Sequence, residues 1–177
     1  MIDNLSQKPL IISGSSRQDS NTNSYIRTVF GQTDSIQINL LDKHVAPYNY
    51  TNIYPENDGF VQITETIVQH QSIVFATPVY WYAMSGLMKT FFDRFSDLIS
   101  IRKDVGRKLK GKSFSLLAVG FDPQMPEGFE IPFKLTTQYF DAHFVDMLYF
   151  SVDKNLDVNP SAERIIQFLE NINKSLT

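Results

Sequence analysis

The sequence of 177 residues contains no cysteine. This absence excludes disulfides, thiolate metal centres and a cysteine nucleophile. The sequence also has no apolar run that approaches the ~18 residues of a membrane-spanning helix. Its first segment lacks the apolar stretch of a signal peptide. Together these absences predict a cytoplasmic protein without membrane insertion.

A strong excess of charge of one sign is absent as well. The 16 Lys and Arg residues against 19 Asp and Glu residues give a formal net charge of −3, so neither nucleic acid nor an anionic membrane is an expected partner. His44, His70 and His143 stand apart without the spacing of metal ligands, and we therefore predict no metal. Ser15 lies outside any Gly-x-Ser-x-Gly motif, which argues against an α/β-hydrolase.

What the sequence has instead is an alternation of short apolar runs and amphipathic segments. Runs typical of strands lie at 10–12, 36–40, 73–76, 114–119 and 144–150. Apolar residues at helical spacing lie at 25–30, 60–68, 87–99, 133–140 and 162–172. Asn159 and Pro160 are a suitable N-cap and first helical residue for the last helix. This alternation predicts one α/β domain over residues 1–177, with an open parallel sheet covered by helices on both faces.

Ligands of such a sheet bind beyond the carboxyl ends of its strands, which draws attention to three loops. The first loop, residues 14–22, is rich in hydroxyl groups and leads into a helix. The N–H groups at a helix start suit a phosphate dianion. The loop is neither a Walker loop nor a dinucleotide fingerprint, because the required lysine and glycines are missing. The alternative is that Ser20 or Asn21 only caps the helix.

The second loop, residues 77–86, carries the only tryptophan, Trp81, between Tyr80 and Tyr82. Aromatic side chains directly after a buried strand are not needed by the core, and they fit a flat ring system beside a phosphate-binding turn. Pro78 stiffens the segment, so that the N–H groups that follow can be held toward a ligand. The alternative is that these aromatic residues form a packing or subunit interface.

Two segments together carry a recognisable pattern. They read Gly14-Ser15-Ser16-Arg17-x-x-Ser20-Asn21-Thr22 and Thr77-Pro78-Val79-Tyr80-Trp81-Tyr82-x-Met84-Ser85-x-x-x-Lys89-x-Phe91-x-Asp93-Arg94. This pair resembles the flavodoxin-like NAD(P)H-dependent FMN reductase and quinone reductase family. The resemblance implies a three-layer α/β/α fold with five parallel strands in the order 2-1-3-4-5. It also implies non-covalently bound FMN, NAD(P)H as co-substrate, and a quinone, flavin, azo or nitroaromatic electron acceptor.

The same resemblance assigns cofactor contacts to individual positions. The FMN phosphate would be held by Ser15, Arg17, Ser20, Asn21 and Thr22. The isoalloxazine ring would lie along Pro78, Val79, Tyr80, Trp81 and Tyr82, with Met84 and Ser85 closing the site. The third loop, around Gly120, departs from the Gly-rich turn of relatives, and Gly120 is the cofactor contact expected there. No side chain is assigned a catalytic role, because FMN carries the chemistry in a ping-pong reaction.

Two other functions stay open at this point. One is an FMN-binding electron carrier without its own NAD(P)H-driven activity, although carriers that dock by charge are strongly acidic and −3 is mild. The other is a protein that keeps the fold and uses the aromatic loop only for assembly. We also expect a homodimer or higher homo-oligomer. The resemblance implies an interface formed by the helix at residues 85–101, because relatives use the equivalent helix in a homodimer interface. In this sequence the helix carries bulky apolar residues, among them Phe91 and Phe95, on more than one face.

Overall fold

The computed structural model, in which residues 5–153 and 158–174 are described, is built on a parallel sheet. Its strands are β1 (Leu10–Ser13), β2 (Ile36–Asn39), β3 (Ser72–Tyr80), β4 (Ala83–Met84), β5 (Ser113–Gly120) and β6 (His143–Ser151). Five of them run parallel in the order β2-β1-β3-β5-β6, and the two-residue β4 pairs antiparallel with β3. The predicted order of five parallel strands is therefore confirmed, and β4 is an addition to it.

The helices lie in two layers, one on each face of the sheet. They are α1 (Asn21–Phe30), α2 (Phe60–Ile67), α3 (Gly86–Asp93), α4 (Lys103–Gly106), α5 (Ile131–Tyr139) and α6 (Ala162–Lys174). Buried residues of α2, α3 and α5 share one apolar cluster with the sheet, and those of α1 and α6 share the other. Among the described residues, no helix is long and apolar enough to cross a membrane.

The continuous apolar runs became the central strands, as predicted. All four residues of β1 and all eight of β5 are buried, because helices cover both faces of these strands. In contrast, β2 pairs only with β1 and is half-buried, which matches its alternating sequence and its predicted place near an edge.

One predicted strand end was wrong. The run at 73–76 continues through Pro78 to Tyr80 and then turns back into β4. Its pairing with β1 stops at Ala76, whereas its pairing with β5 extends to Pro78. Beyond Ala76 the strand has lost its β1 neighbour, and a proline fits there as it does on an edge strand, where a missing N–H interrupts no ladder.

The predicted continuous helix over residues 85–101 is also interrupted. Helix α3 ends at Asp93, and residues Arg94–Ile99 form a 3-10 helix. Side chains three residues apart eclipse one another in a 3-10 helix, which suits the pair Arg94 and Asp97, whose Nε and Oδ2 atoms lie 2.8 Å apart. The change from α-helix to 3-10 helix therefore occurs where this charged pair is buried in the core.

The predicted capping role of Asn159 was wrong as well. Its Oδ1 atom accepts a hydrogen bond from the backbone N–H of Ser151 at 2.8 Å, so its side chain closes the end of β6. The hydroxyl of Ser161 accepts from the N–H of Arg164 at 3.3 Å and caps α6 in its place.

A buried arginine fastens the long loop between β2 and α2 to the core. Arg94 is 1% exposed; its guanidinium donates to Asp58 and Asp97, each at 2.8 Å, and to the carbonyl of Ala46 at 2.9 Å. Its Cζ atom lies 3.4 Å from the centre of the Tyr54 ring, whose hydroxyl donates to Asp97 at 2.9 Å. Three residues of this loop, Ala46, Tyr54 and Asp58, thus meet at this one side chain.

Candidate functional site

A cleft of about 290 Å³ lies where the carboxyl ends of β1, β3 and β5 meet. It collects nine of the eleven residues predicted to bind a cofactor. These are Ser15, Arg17, Ser20, Asn21, Thr22, Pro78, Val79, Tyr80 and Gly120. The two that it does not include are Trp81 and Tyr82. Segments from three separate loops therefore converge, as expected for the carboxyl edge of a parallel sheet.

One end of the cleft is polar and is formed by the start of α1. Ser20 is the N-cap residue, and its Oγ atom accepts from the N–H of Asn23 at 3.1 Å. Asn21 and Thr22 occupy the first helical positions, whose N–H groups have no acceptor within the helix. These donors and the positive end of the helix dipole suit an anion. Ser20 is thus a cap, as the alternative reading supposed, and also part of the cleft wall.

Three hydroxyl-bearing residues of this end, Ser15, Ser20 and Thr22, are buried, whereas the arginine is exposed. Ser15 and Thr22 line the cleft with almost no exposure to solvent. Arg17 lies on the exposed part of the loop and also borders the cleft. An anion in the cleft would therefore meet hydroxyl and backbone donors in the interior and a guanidinium at the surface.

The rest of the cleft lining is mostly apolar. Pro78, Val79 and Tyr80 come from β3, and three residues that sequence reasoning did not assign, Val119, Phe121 and Val152, complete the wall. Their signal was positional rather than chemical, because they adjoin the predicted ends of the strands now seen as β5 and β6. An apolar residue at such a place cannot be told from core by its type alone.

The hairpin beside the cleft has an unusual turn. Tyr80 pairs with Ala83, and the two residues between them, Trp81 and Tyr82, have φ angles of 48° and 63°. They are 93% and 68% exposed. A two-residue turn with both φ values positive is of type I′, which is usually made by Asn-Gly or Gly-Gly. The aromatic side chains thus stand at the hairpin tip in solvent instead of lining the cleft.

Ser85 and Gly14 hold the first two loops together beneath the cleft. The Ser85 hydroxyl donates to the carbonyl of Gly14 and accepts from the N–H of Met88 at 3.1 Å, and so caps α3. A Cβ atom on Gly14 would lie 2.9 Å from the Cβ of Met88, so only glycine permits this close approach. The structure places Ser85 in the support of the site, and Met84 packs against the apolar core.

Gly120 has a similar steric requirement in the third loop. A Cβ atom at this position would clash with the Tyr149 hydroxyl, which donates to the carbonyl of Asp122 at 2.8 Å. Burial, together with the charge of Asp122, raises the pKa of Tyr149. The phenol therefore stays protonated and keeps the loop after β5 in place.

The chemistry of the cleft is that of binding. Arg17 is the one side chain carrying a formal charge among those that line it, and histidine and carboxylate are absent from this lining. In the described part of the chain, no group of three or more potential ligands is arranged to hold a metal ion. The cleft can bind a molecule with an anionic end and an apolar ring, and its lining offers neither a histidine nor a carboxylate for acid–base catalysis.

The sequence matches the family described as NADPH-dependent FMN reductase over residues 8–157. It is 30% identical over 122 residues to YwqN of Bacillus subtilis (strain 168), a protein named as an NAD(P)H-dependent FMN-containing oxidoreductase. That alignment covers 65% of this chain and 67% of YwqN.

Solved structures share the fold at low sequence identity. The Trp repressor binding protein from Bacillus subtilis has a TM-score of 0.66 and 22% identity, and 96% of each chain is covered. General stress protein 14 from Treponema denticola, solved in complex with FMN, has a TM-score of 0.66 and 21% identity, with 93% of this chain and 99% of that chain covered. An NADPH-quinone reductase from P. pentosaceus has a TM-score of 0.62 and 15% identity, with coverage of 97% and 98%.

Proposed function

The chain belongs to the NADPH-dependent FMN reductase family and is an NAD(P)H-dependent FMN oxidoreductase, and we propose that FMN binds non-covalently in the cleft at the carboxyl edge of the sheet. The observation that carries this assignment is the convergence of the hydroxyl-rich loop with the apolar end of β3. FMN has a phosphate at one end and a flat ring at the other, so the polar and apolar parts of the cleft lining suit the two parts of the molecule.

The protein residues in this proposal bind and orient. Ser15, Thr22 and the first N–H groups of α1 hold the phosphate, with Arg17 at the mouth. Pro78, Val79 and Tyr80 would lie along one edge of the ring, and the loop at Gly120 would border it. When bound, FMN accepts a hydride from NAD(P)H and passes the electrons on. Backbone N–H groups near the ring stabilise the negative charge that develops on it, because fixed dipoles do not need to reorganise.

The proposed acceptor is a small molecule: a quinone, a flavin, an azo compound or a nitroaromatic. A ring held along Pro78, Val79 and Tyr80 would be open to solvent on one side, and the nicotinamide and the acceptor would use that side in turn. The proposal is therefore a ping-pong reaction. The exposed aromatic residues of the hairpin tip, Trp81 and Tyr82, border that side and provide apolar surface for a planar acceptor.

The test is a purification followed by reduction and steady-state kinetics. A yellow protein that NADPH bleaches under anaerobic conditions, and that a quinone reoxidises, supports the proposed reaction. Double-reciprocal plots at several acceptor concentrations are expected to be parallel. Intersecting lines would refute the alternating use of one site. A yellow protein that NAD(P)H does not reduce would instead support the electron carrier.

The phosphate assignment predicts a selective loss of affinity. Replacing Ser15 and Thr22 together by alanine is expected to weaken FMN binding by about 100-fold or more, because each of the two hydrogen bonds lost to a charged group contributes ~1.5–3 kcal/mol. Binding of riboflavin, which lacks the phosphate, should change little. Titration calorimetry with both flavins measures the difference. The control is the double variant Ser24→Ala and Thr28→Ala, because these two exposed hydroxyls lie on the same helix outside the cleft. Unchanged FMN affinity in the variant that lacks the Ser15 and Thr22 hydroxyls would contradict the proposed position of the phosphate.

We also propose a homodimer, but through different side chains from those first predicted. Phe91 and Phe95 are buried in the core of their own chain, so they are not available to a partner. Next to them lies a trough of about 320 Å³ between the 3-10 helix at Arg94–Ile99 and α5. Its exposed apolar side chains are Ile99, Leu135 and Tyr139. A contiguous apolar surface of this kind fits a second copy of the chain.

The dimer proposal predicts that Leu135→Glu yields a folded monomer. Leu135 is 59% exposed, so the fold should tolerate a glutamate at this position. A dimer interface that excludes water would not, because the carboxylate would be buried without a partner. Sedimentation at micromolar concentration measures the change. Ile166→Glu, on an exposed position of α6 at the opposite face of the sheet, is the matched control and should stay dimeric. Phe95→Asp is expected to unfold the chain instead, and a wild-type monomer would refute the proposal.

A further inference from the structure

We infer that Asn23, which lies outside the cleft lining, is a positioning residue that holds the first loop in its phosphate-binding shape; this inference rests on the proposed FMN site. The Asn23 side chain is buried on the inner side of the loop, at 6% exposure. Its Nδ2 atom donates to the carbonyl of Gln18 at 2.9 Å and, more weakly, to that of Arg17 at 3.5 Å. Its Oδ1 atom accepts from the hydroxyl of Ser13 at 2.8 Å.

These bonds connect the end of β1 to the middle of the loop. Ser13 precedes the loop, whereas Arg17 and Gln18 form its outer part. A carbonyl oxygen that accepts a hydrogen bond from Asn23 is directed at this amide and away from the cleft. That direction matters, because a carbonyl facing the cleft would repel a phosphate dianion while the N–H groups attract it. Asn23 therefore acts on the ligand through the orientation of the loop.

A second attachment holds the same loop from outside. The Gln18 side chain donates to Asp42 and accepts from the Nδ2 of Asn39 at 3.0 Å. Gln18 is thus fixed by its carbonyl at Asn23 and by its side chain at the end of β2. A loop held at both sides is ordered before a ligand arrives, and binding then loses less free energy to ordering.

Only an amide meets both requirements at position 23. Its oxygen accepts from Ser13, and its nitrogen donates to two carbonyls. A carboxylate of the same size can accept but cannot donate. In Asn23→Asp the carboxylate would face the carbonyls of Arg17 and Gln18 and would add a negative charge beneath the phosphate position.

The test compares FMN with riboflavin in titrations of Asn23→Asp and Asn23→Ala. We expect the dissociation constant for FMN to rise by about 10- to 100-fold in Asn23→Asp and less in Asn23→Ala. The constant for riboflavin, which has no phosphate, should stay within about twofold of the wild type. Ser24→Ala is the control, since this neighbouring hydroxyl on α1 is exposed and accepts a hydrogen bond from the guanidinium of Arg27, on the same helix, at 3.5 Å.

Each outcome supports or overturns the role of Asn23. Unchanged FMN affinity in both variants would overturn it, and so would an equal loss of FMN and riboflavin affinity, which indicates a general structural defect. Failure of both variants to fold, seen by circular dichroism, would make Asn23 a residue of the fold alone and would also overturn it. A wild-type protein that binds neither flavin would refute the FMN site itself, which is a distinguishable result.

Discussion

Replacing Arg94 by methionine is expected to lower the free energy of unfolding by roughly 3–5 kcal/mol, because the change leaves buried carboxylates without their cation. Both partner carboxylates, Asp58 and Asp97, are almost completely buried. The variant also loses the donor to the carbonyl of Ala46 and the cation above the Tyr54 ring. Urea denaturation measures the difference. Loosening of the loop that carries Tyr54 and Asp58 should accompany it, as faster cleavage by a protease.

The control for this experiment is an ion pair at the surface. Lys89 and Asp93 are separated by one helical turn, with 2.6 Å between Nζ and Oδ1, and both are exposed. Exposed pairs of this type contribute only ~0.3–0.5 kcal/mol, so Lys89→Met should have a small effect. An equal decrease in the free energy of unfolding in Arg94→Met and Lys89→Met would show that burial does not increase the contribution of the Arg94 ion pairs to stability.

The ion pairs of Arg94 with Asp58 and Asp97 also predict how stability depends on pH. Burial alone would raise the pKa of Asp58, but the hydrogen bond and charge of Arg94, with two backbone N–H donors, bring it below its ordinary value of 3.8. A carboxyl group whose pKa is lowered by folding stabilises the fold above the unfolded pKa, and the contribution is lost as pH falls through the folded pKa. Without Arg94, burial raises the folded pKa of this carboxyl group. The difference in stability between wild type and Arg94→Met should therefore shrink as the pH falls from 7, through the raised pKa of the variant, to the lowered pKa of the wild type. A difference that stays constant down to pH 3 would contradict this origin.

The sequence did not reveal this network, for a physical reason. Arg94 lies 36 residues from Asp58, and no periodic pattern links a helix to a particular position in a long loop. Periodicity reports which face of a helix is apolar, and a charged residue in such a pattern is assigned to solvent. Only the folded loop shows that Arg94 has its partners inside.

The strands and the site could be predicted because both depend on local rules. Continuous apolar runs mark strands that are covered on both faces, and parallel strands bring their carboxyl ends to one edge. Residues as far apart as Ser15, Pro78 and Gly120 were therefore expected at one place, and the structure brings them to one cleft. Their roles toward FMN stay predictions until a ligand is measured.

The hairpin could not be predicted, because its turn contradicts the local preference. Two-residue turns with positive φ at both positions favour Asn-Gly, and an aromatic pair is an improbable sequence for one. The family resemblance therefore predicts Trp81 and Tyr82 in a loop along the ring. The structure instead extends β3 and exposes both side chains at the tip of the hairpin.

Replacing Trp81 and Tyr82 by Asn and Gly is expected to stabilise the protein and to impair its reaction. The left-handed region costs an ordinary residue ~1–2 kcal/mol, whereas Gly has no such penalty and Asn a smaller one. Little buried surface is lost, since both side chains are mostly exposed. The free energy of unfolding should therefore rise by about 2–3 kcal/mol. At the same time kcat/KM for a quinone should fall by about 3- to 10-fold, the equivalent of one or two aromatic contacts.

The opposite signs of these two effects distinguish a functional turn from a merely tolerated one. Local backbone strain that brings no stability persists where it serves function, and stabilising substitutions at such places reduce activity. FMN retention should be unchanged in the double variant, because its phosphate contacts lie on the first loop. Tyr50→Asn, which removes an equally exposed aromatic residue from another loop, should alter neither quantity. A stabilised variant with unchanged kcat/KM would remove Trp81 and Tyr82 from the acceptor site and leave their strained turn without a function in this reaction.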